Sequence, residues 1–358
     1  MVHRRCRGMP FDQAQGDRPR IGIDALGLKM APFITVFLGL FLLFPPALYA
    51  QAKALKKIRV GVPSVGVANI IIFIAKEGKL YEKHGLDAEV ITVNGSGIGS
   101  KALISGGLDI IPIATPTVIA ANLAGSDMAI LAHTMPGVIH AMMVKPEIKR
   151  VEDLKGKKVG VSSLRSLTDF LVRTIARKKG LNPDRDLTLI VMGGDSERLT
   201  ALRAGAVEAS AMSHPGYGRA RRLGFSMLWD SAKEIDYPWM EITTRRETIK
   251  KDRELVTSYM KAHLEGIALF KKDPEFSKRV IKKTLRMDED ELVAEAYDIY
   301  SKAFLPTPYP NLLGMKVSFE YVAVTRADVW KHKPEEFADS SFVTELDKSG
   351  FIKKLYER

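Results

Sequence analysis

The chain has 358 residues, 46% hydrophobic and 27% charged, enough to bury an ordinary core in two domains or lobes, so disorder is excluded as the default. The formal net charge of +12 comes from basic residues scattered along the chain, not gathered in one stretch, and so does not indicate a nucleic-acid partner. Cys6 is the single cysteine, which excludes an internal disulfide and a multi-cysteine metal site.

Residues 33–44 form an uncharged run of twelve, closed by Pro45-Pro46 and followed by the small-residue sequence Ala50-Gln51-Ala52. This is a secretory signal pattern with cleavage expected near Ala50 to Ala52, and twelve residues fall short of the roughly 20 a spanning helix needs. Met9 and Met30 are alternative starts to Met1. Losing residues 1–52 removes six basic and three acidic residues, leaving a net charge of +9 and no cysteine, hence no cysteine nucleophile. No cysteine stands near the cleavage point to carry a lipid anchor, so a soluble periplasmic product is expected.

From Lys57 short apolar runs alternate with amphipathic stretches, the signature of an α/β sheet. The spacing predicts a strand over 58–63, a helix over 68–83 stopped by Gly85, a strand over 88–93, a helix opened by Gly95-Ser96-Gly97 and running through Leu103, and a strand over 109–114. The same order returns about one hundred residues later. Gly61-Val62-Pro63-Ser64 matches Gly160-Val161-Ser162-Ser163, Gly85-Leu86 matches Gly180-Leu181, and Ala102-Leu103 matches Ala201-Leu202. Gly106, Asp109 and Thr115-Pro116 match Gly205, Glu208 and His214-Pro215. Most pairs are 99 residues apart, so two similar lobes are expected, each presenting the loops after its strands to the other. The crossings are placed near 142–146 and 237–242, giving 57–144 plus 241–358 for the first lobe and 145–240 for the second. Beyond Thr244 the chain reads as helices, 253–271, 274–285, 289–304 and one near Phe351, packed on the first lobe with solvated charged faces.

Residues that could hold a ligand cluster after the strands. Asn94 to Ser100 joins a strand to a helix, where free amides favour a polar or anionic group, and Asn94 and Ser96 are its candidates; a plain turn is the other reading. It has neither the third glycine of a dinucleotide fingerprint nor a phosphate-loop lysine. In the second lobe Ser163, Arg165 and Ser166 hold the matching place; Arg165 could grip a carboxylate, sulfonate or phosphate or be a solvated loop charge, and Ser166 could be a helix cap. Ser64, Thr115 and Asp195 also lie just after predicted strands. His214 could bind ligand, act as a base or be structural; Glu241 could meet ligand or stabilise the hinge; Trp239 could stack on a ligand or pack in the core. The histidines show no metal-ligand spacing, and no cofactor is expected.

Four phrases carry a resemblance: residues 74–86 (IAKEGKLYEKHGL), Gly106-Gly107-Leu108-Asp109, residues 151–161 (VEDLKGKKVGV) and Thr244-Arg245-Arg246-Glu247. From Ile58 through Arg253 the chain resembles the periplasmic solute-binding proteins of the aliphatic-sulfonate, taurine, nitrate and thiamine-precursor ABC importers. The resemblance implies a periplasmic-binding-protein type II fold, two α/β lobes joined by a two-stranded hinge, in a non-enzymatic monomer that closes on a small polar or anionic organic solute. It also implies an ABC permease and ATPase as partners. Two other readings stand beside it: an enzyme of the same fold acting on a pyrimidine or menaquinone precursor with His214 or Asp195 as general base, and a periplasmic sensor subunit. Position 67 is Val, not an aromatic that could stack on a pyrimidine, which argues against a thiamine precursor.

Overall fold

The computed structural model describes residues 54–93, 95–164, 166–235, 237 and 239–357. The expected signal segment and cleavage point, and the candidates Asn94 and Arg165, lie outside the described residues. Lys53–Arg358 is a compact unit of its own.

The first lobe begins with β1 (Lys56–Val62), a 3-10 turn (Val67–Asn69), α1 (Ile70–Glu77), α2 (Leu80–Lys83), β2 (Leu86–Thr92), α3 (Gly95–Ile104), β3 (Ile110–Pro112), α4 (Thr115–Leu123) and β4 (Met128–Met135). The second contains β5 (His140–Val144), β6 (Lys157–Val161), α5 (Leu167–Lys178), β7 (Leu187–Val191), α6 (Asp195–Arg203), β8 (Ala209–Ser213), α7 (Gly216–Arg222), β9 (Ser226–Asp230) and α8 (Ser231–Glu234). The chain then returns through β10 (Trp239–Arg245). The single helix expected over 68–83 is two, because Lys79 adopts a left-handed φ of 54° between them.

The sheets share one topology. The first has the order β2-β1-β3-β10-β4 and the second β7-β6-β8-β5-β9. β1 in the first and β6 in the second pair in parallel with their neighbours on both sides, and in each sheet one strand runs antiparallel between two others. The antiparallel strand is the one the chain makes on arriving from the other lobe: β5 in the second sheet, β10 in the first.

The duplication reaches individual hydrogen bonds. Asp109 Oδ2 accepts the Arg59 N–H at 2.8 Å, and Glu208 Oε2 accepts the Lys158 N–H at 2.9 Å, each carboxylate tying a loop to the first strand of its sheet. The Val93 N–H donates to Val62 O and the Met192 N–H to Val161 O, both at 2.9 Å. Gly85 and Gly180 have φ of +79° and +81°, the left-handed conformation that stops a helix and that a side chain disfavours. The connections beyond these two glycines differ in length: β2 starts one residue after Gly85, whereas β7 starts seven residues after Gly180.

One boundary moves. The crossing expected at 142–146 falls between Met135 and His140, because β5 pairs with β8 and β9. The antiparallel strand has no counterpart among the parallel units that define the repeat, so its five buried residues read equally well as the end of either lobe.

The C-terminal region is α9 (Arg246–Lys251), α10 (Arg253–Lys272), α11 (Pro274–Leu285), α12 (Asp290–Ala303), α13 (Met315–Ala323), α14 (Ser341–Lys348) and α15 (Phe351–Tyr356). Asp252 and Asp273 cap α10 and α11 through the backbone N–H groups of Leu255 and Phe276. Helix α10 packs its apolar stripe on α1 and α2, α13 lies on α4, and α14 on β4, so the region is built on the first lobe as expected. Two of its helices also reach the second lobe. The Tyr321 hydroxyl on α13 donates to Asp169 Oδ2 on α5 at 3.0 Å, and its ring meets Phe170 edge-on. Helix α12 forms ion pairs with α7, so its acidic face is not the freely solvated surface expected from the charge pattern.

Candidate functional site

Helices placed after parallel strands begin at the carboxyl edge of the sheet, which brings the loops after β1, β2 and β3 to one side of the first lobe and those after β6, β7 and β8 to one side of the second. These two sides face each other. A Cβ built on Gly95, after β2, would lie 3.4 Å from Ser163 Oγ, after β6. Beside the serines, Val65 and Leu164 hold equivalent positions 99 residues apart and are 48% and 59% exposed, large for aliphatic side chains.

In the first lobe, Ser64 is anchored by Asn69, whose Nδ2 donates to Ser64 O at 2.9 Å. Ser96 Oγ accepts the Ala114 N–H at 3.2 Å, joining the start of α3 to that of α4. Thr115, the first residue of α4, gives both its donors to Glu241 on β10: its N–H and its Oγ1–H reach Oε1 at 3.1 and 2.7 Å. The chain of bonds continues to His133, whose Nε2 lies 3.3 Å from Thr115 Oγ1 and whose Nδ1 accepts the Asn311 N–H at 2.8 Å. Accepting at Nδ1 places the proton of the neutral ring on Nε2, so the bonds run in one direction to the carboxylate. Burial holds His133 down at about 3 and pushes the Glu241 carboxyl up to about 7, against the lowering pull of the Thr115 bonds. Glu241 is therefore an internal cap on α4 at the hinge strand, with its carboxyl turned into protein.

In the second lobe, the loop after β6 is closed by its own hydroxyls. The Ser162 N–H donates to Thr168 Oγ1 at 2.8 Å, Ser166 Oγ–H donates to Ser163 O at 2.7 Å, and Ser166 Oγ caps α5 by accepting the Asp169 N–H. Of the two readings of Ser166, the cap is the one present. Asp195 opens α6 and is committed on both oxygens: Oδ1 to Arg198 Nη2, and Oδ2 to the Ser213 hydroxyl and to the Ser213 N–H at 3.2 Å. Arg198 is 3% exposed and also donates to Gly193 O and Ala211 O. A carboxylate so engaged is not a free general base. His214 is fully buried against Tyr217, with Nε2 3.4 Å from Glu295 Oε2 on α12; burial lowers its pKa, and Glu295 partly offsets that. At the crossings His140 and Trp239 meet edge-on at 5.0 Å, so Trp239 is a core aromatic, and burial brings His140 to about 4.

Ser64, Ser96 and Ser163 thus stand after β1, β2 and β6, whereas Thr115, His214 and Glu241 are buried, and most polar atoms of Ser166, Asp195 and Glu241 already serve the protein. Arg198, His133, Asn69 and Asn311 were not anticipated. Arg198 carried a signal, lying one helical turn after Asp195; His133 pairs through residues distant in sequence. Among the described residues no group of three or more His, Cys, Asp or Glu is placed to hold a metal ion, and no helix is long and apolar enough to cross a membrane.

The profile of the NMT1/THI5-like family matches residues 68–277, more than half of the chain and both lobes. The chain belongs to this family. A Brucella abortus (strain 2308) protein named as a candidate binding protein is 29% identical over 244 residues, covering 67% of this chain and 75% of its own. Among solved structures, the periplasmic aliphatic sulphonate binding protein SsuA from Escherichia coli superposes with a TM-score of 0.65 at 21% identity, over 79% of this chain and 92% of that one. The periplasmic nitrate-binding protein NrtA from Synechocystis PCC 6803 gives 0.60 at 17%, over 85% and 89%. These likenesses establish the periplasmic-binding-protein fold, and the relatives support a binding role for this NMT1/THI5-like chain.

Proposed function

We propose that this protein is the periplasmic substrate-binding component of an ABC importer, capturing a small polar or anionic organic solute between its lobes by hinge closure. The observation that carries the reading is the approach of the loops after β2 and β6, with the Ser163 hydroxyl facing Gly95 across the interlobe face. In this reading the first lobe is residues 57–139 with 239–358 and the second is 140–235, in keeping with the sheets. Ser64, Ser96 and Ser163 line the capture site with Asn94 and Arg165, while the buried Thr115, with Ser166, Asp195, His214 and Glu241, holds its walls in place. The exposed Val65 and Leu164 favour a solute with an apolar portion over a bare inorganic ion. A permease and an ATPase at the membrane would receive the solute from the closed form, the protein acting as a monomer exported by its N-terminal segment.

A thermal-shift screen of the chain from Lys53 against sulfonates, carboxylates, nitrate and pyrimidines tests this. A solute at 100 times its dissociation constant is expected to stabilise the protein by about 2.7 kcal/mol. Arg165→Ala is expected to weaken an anionic solute several-fold; unchanged affinity removes Arg165 from the site. Turnover of a pyrimidine or menaquinone precursor would overturn the binding-only reading.

A further inference from the structure

Helices α7 and α12 meet as two charged faces of opposite sign. Arg219 makes a fork on Glu289, Nε to Oε1 at 2.9 Å and Nη2 to Oε2 at 3.0 Å. Arg221 Nη2 reaches Glu295 Oε1 at 2.9 Å, and Arg222 Nη2 reaches Glu291 Oε2 at 3.2 Å. The three pairs surround an apolar contact: Leu292 lies on Gly218, where an added Cβ would be 3.0 Å from Leu292 Cδ2, and the glycine is what lets the helices approach. The Arg219 bonds dominate in holding the Glu289 carboxyl down at about 2.

The two helices belong to different lobes. Helix α7 starts two residues after His214, at the carboxyl edge of the second sheet. Helix α12 packs on α11 and on the 3-10 turn Val67–Asn69, directly after the Ser64 loop at the carboxyl edge of the first sheet. The pairs therefore bridge the rim of the interlobe face. A rotation that parts the lobes there must break all of them, because side chains that reach across about 3 Å cannot follow a hinge movement of several ångströms.

We propose that Arg219, Arg221 and Arg222 of α7, with Glu289 at the N-cap of α12 and Glu291 and Glu295 on it, form a closure clasp whose residues position the lobes for capture without touching the solute. The inference rests on the hinge-closure reading above. Each pair is partly exposed and individually weak, but the three open together, so they act as a single bias on the balance between open and closed forms. Its consequence is that the affinity of the site is set partly by residues outside it, through the fraction of molecules already closed.

The test reads lobe separation without solute, so it is independent of whether any solute is found. The chain from Lys53 has no native cysteine. Spin labels at Lys101→Cys on α3 and Arg203→Cys on α6 report the distance between lobes by electron–electron resonance. Without solute the parent is expected to show a short and a long separation, with the share of the short one falling between about 0.05 M NaCl and about 1 M, where the screening length shrinks to about 3 Å. Arg219→Glu with Arg222→Glu is expected to lower the ratio of closed to open on the order of tenfold. Adding Glu289→Arg and Glu291→Arg to that protein is expected to restore the short separation, which a merely damaged fold would not do. An unchanged distribution after charge reversal, or a folded swap variant that stays open, overturns the clasp; should the reversal variant not fold, a parent distribution indifferent to salt overturns it.

Discussion

Glu241→Gln is expected to stabilise the protein by roughly 3 kcal/mol at pH 8 and by no more than about 1 kcal/mol at pH 5. The carboxyl titrates near 7 in the fold against an ordinary value of 4.5, so between these values the native state binds more protons than the unfolded one. Stability from a raised carboxyl is present at low pH and is lost as pH rises through 7. Glutamine keeps the oxygen that accepts the two Thr115 donors and has no proton to lose, so the variant lacks this loss. Urea midpoints of both proteins at the two pH values decide the matter; a glutamine variant less stable than the parent at pH 8 would refute the buried-cap assignment.

Asp195→Ala is expected to cost roughly 3 kcal/mol, because it strands the Arg198 guanidinium in the interior with only two carbonyls and leaves the Ser213 donors without their acceptor. Adding Arg198→Leu should recover a substantial part, since the penalty is the unpaired charge more than the lost bond. A side chain whose purpose is to hold solute would behave the other way, with unchanged stability of the free protein and reduced affinity. Melting of the single and double variants without solute separates the two; a single variant that melts like the parent removes the structural role given to Asp195.

Much of the fold was legible because its signals are local. Helix α11 lies over the residues expected of it, and α10 and α12 within one residue or so, since Asp252, Asp273 and Pro274 mark their ends and their apolar residues recur at helical spacing. The 99-residue offset carried the duplicated sheet, and the carboxylates of Asp109 and Glu208 show why it persists: each holds the same joint in its lobe. Most candidates were found by position, as residues just after strands, and position did not reveal which of the described ones had free polar atoms.

The sequence by itself determined two α/β repeats, the succession of parallel strands and helices along the chain in each, and the expected edge for their loops, because periodicity and turn residues act within a few residues of one another. Only the tertiary structure decided where β5 belongs, that Glu241 caps α4, that Asp195 serves Arg198, and that the arginines of α7 meet the glutamates of α12. Each of those facts depends on groups separated by many residues or on the neighbours that remove a charge from water, and a one-dimensional pattern records neither.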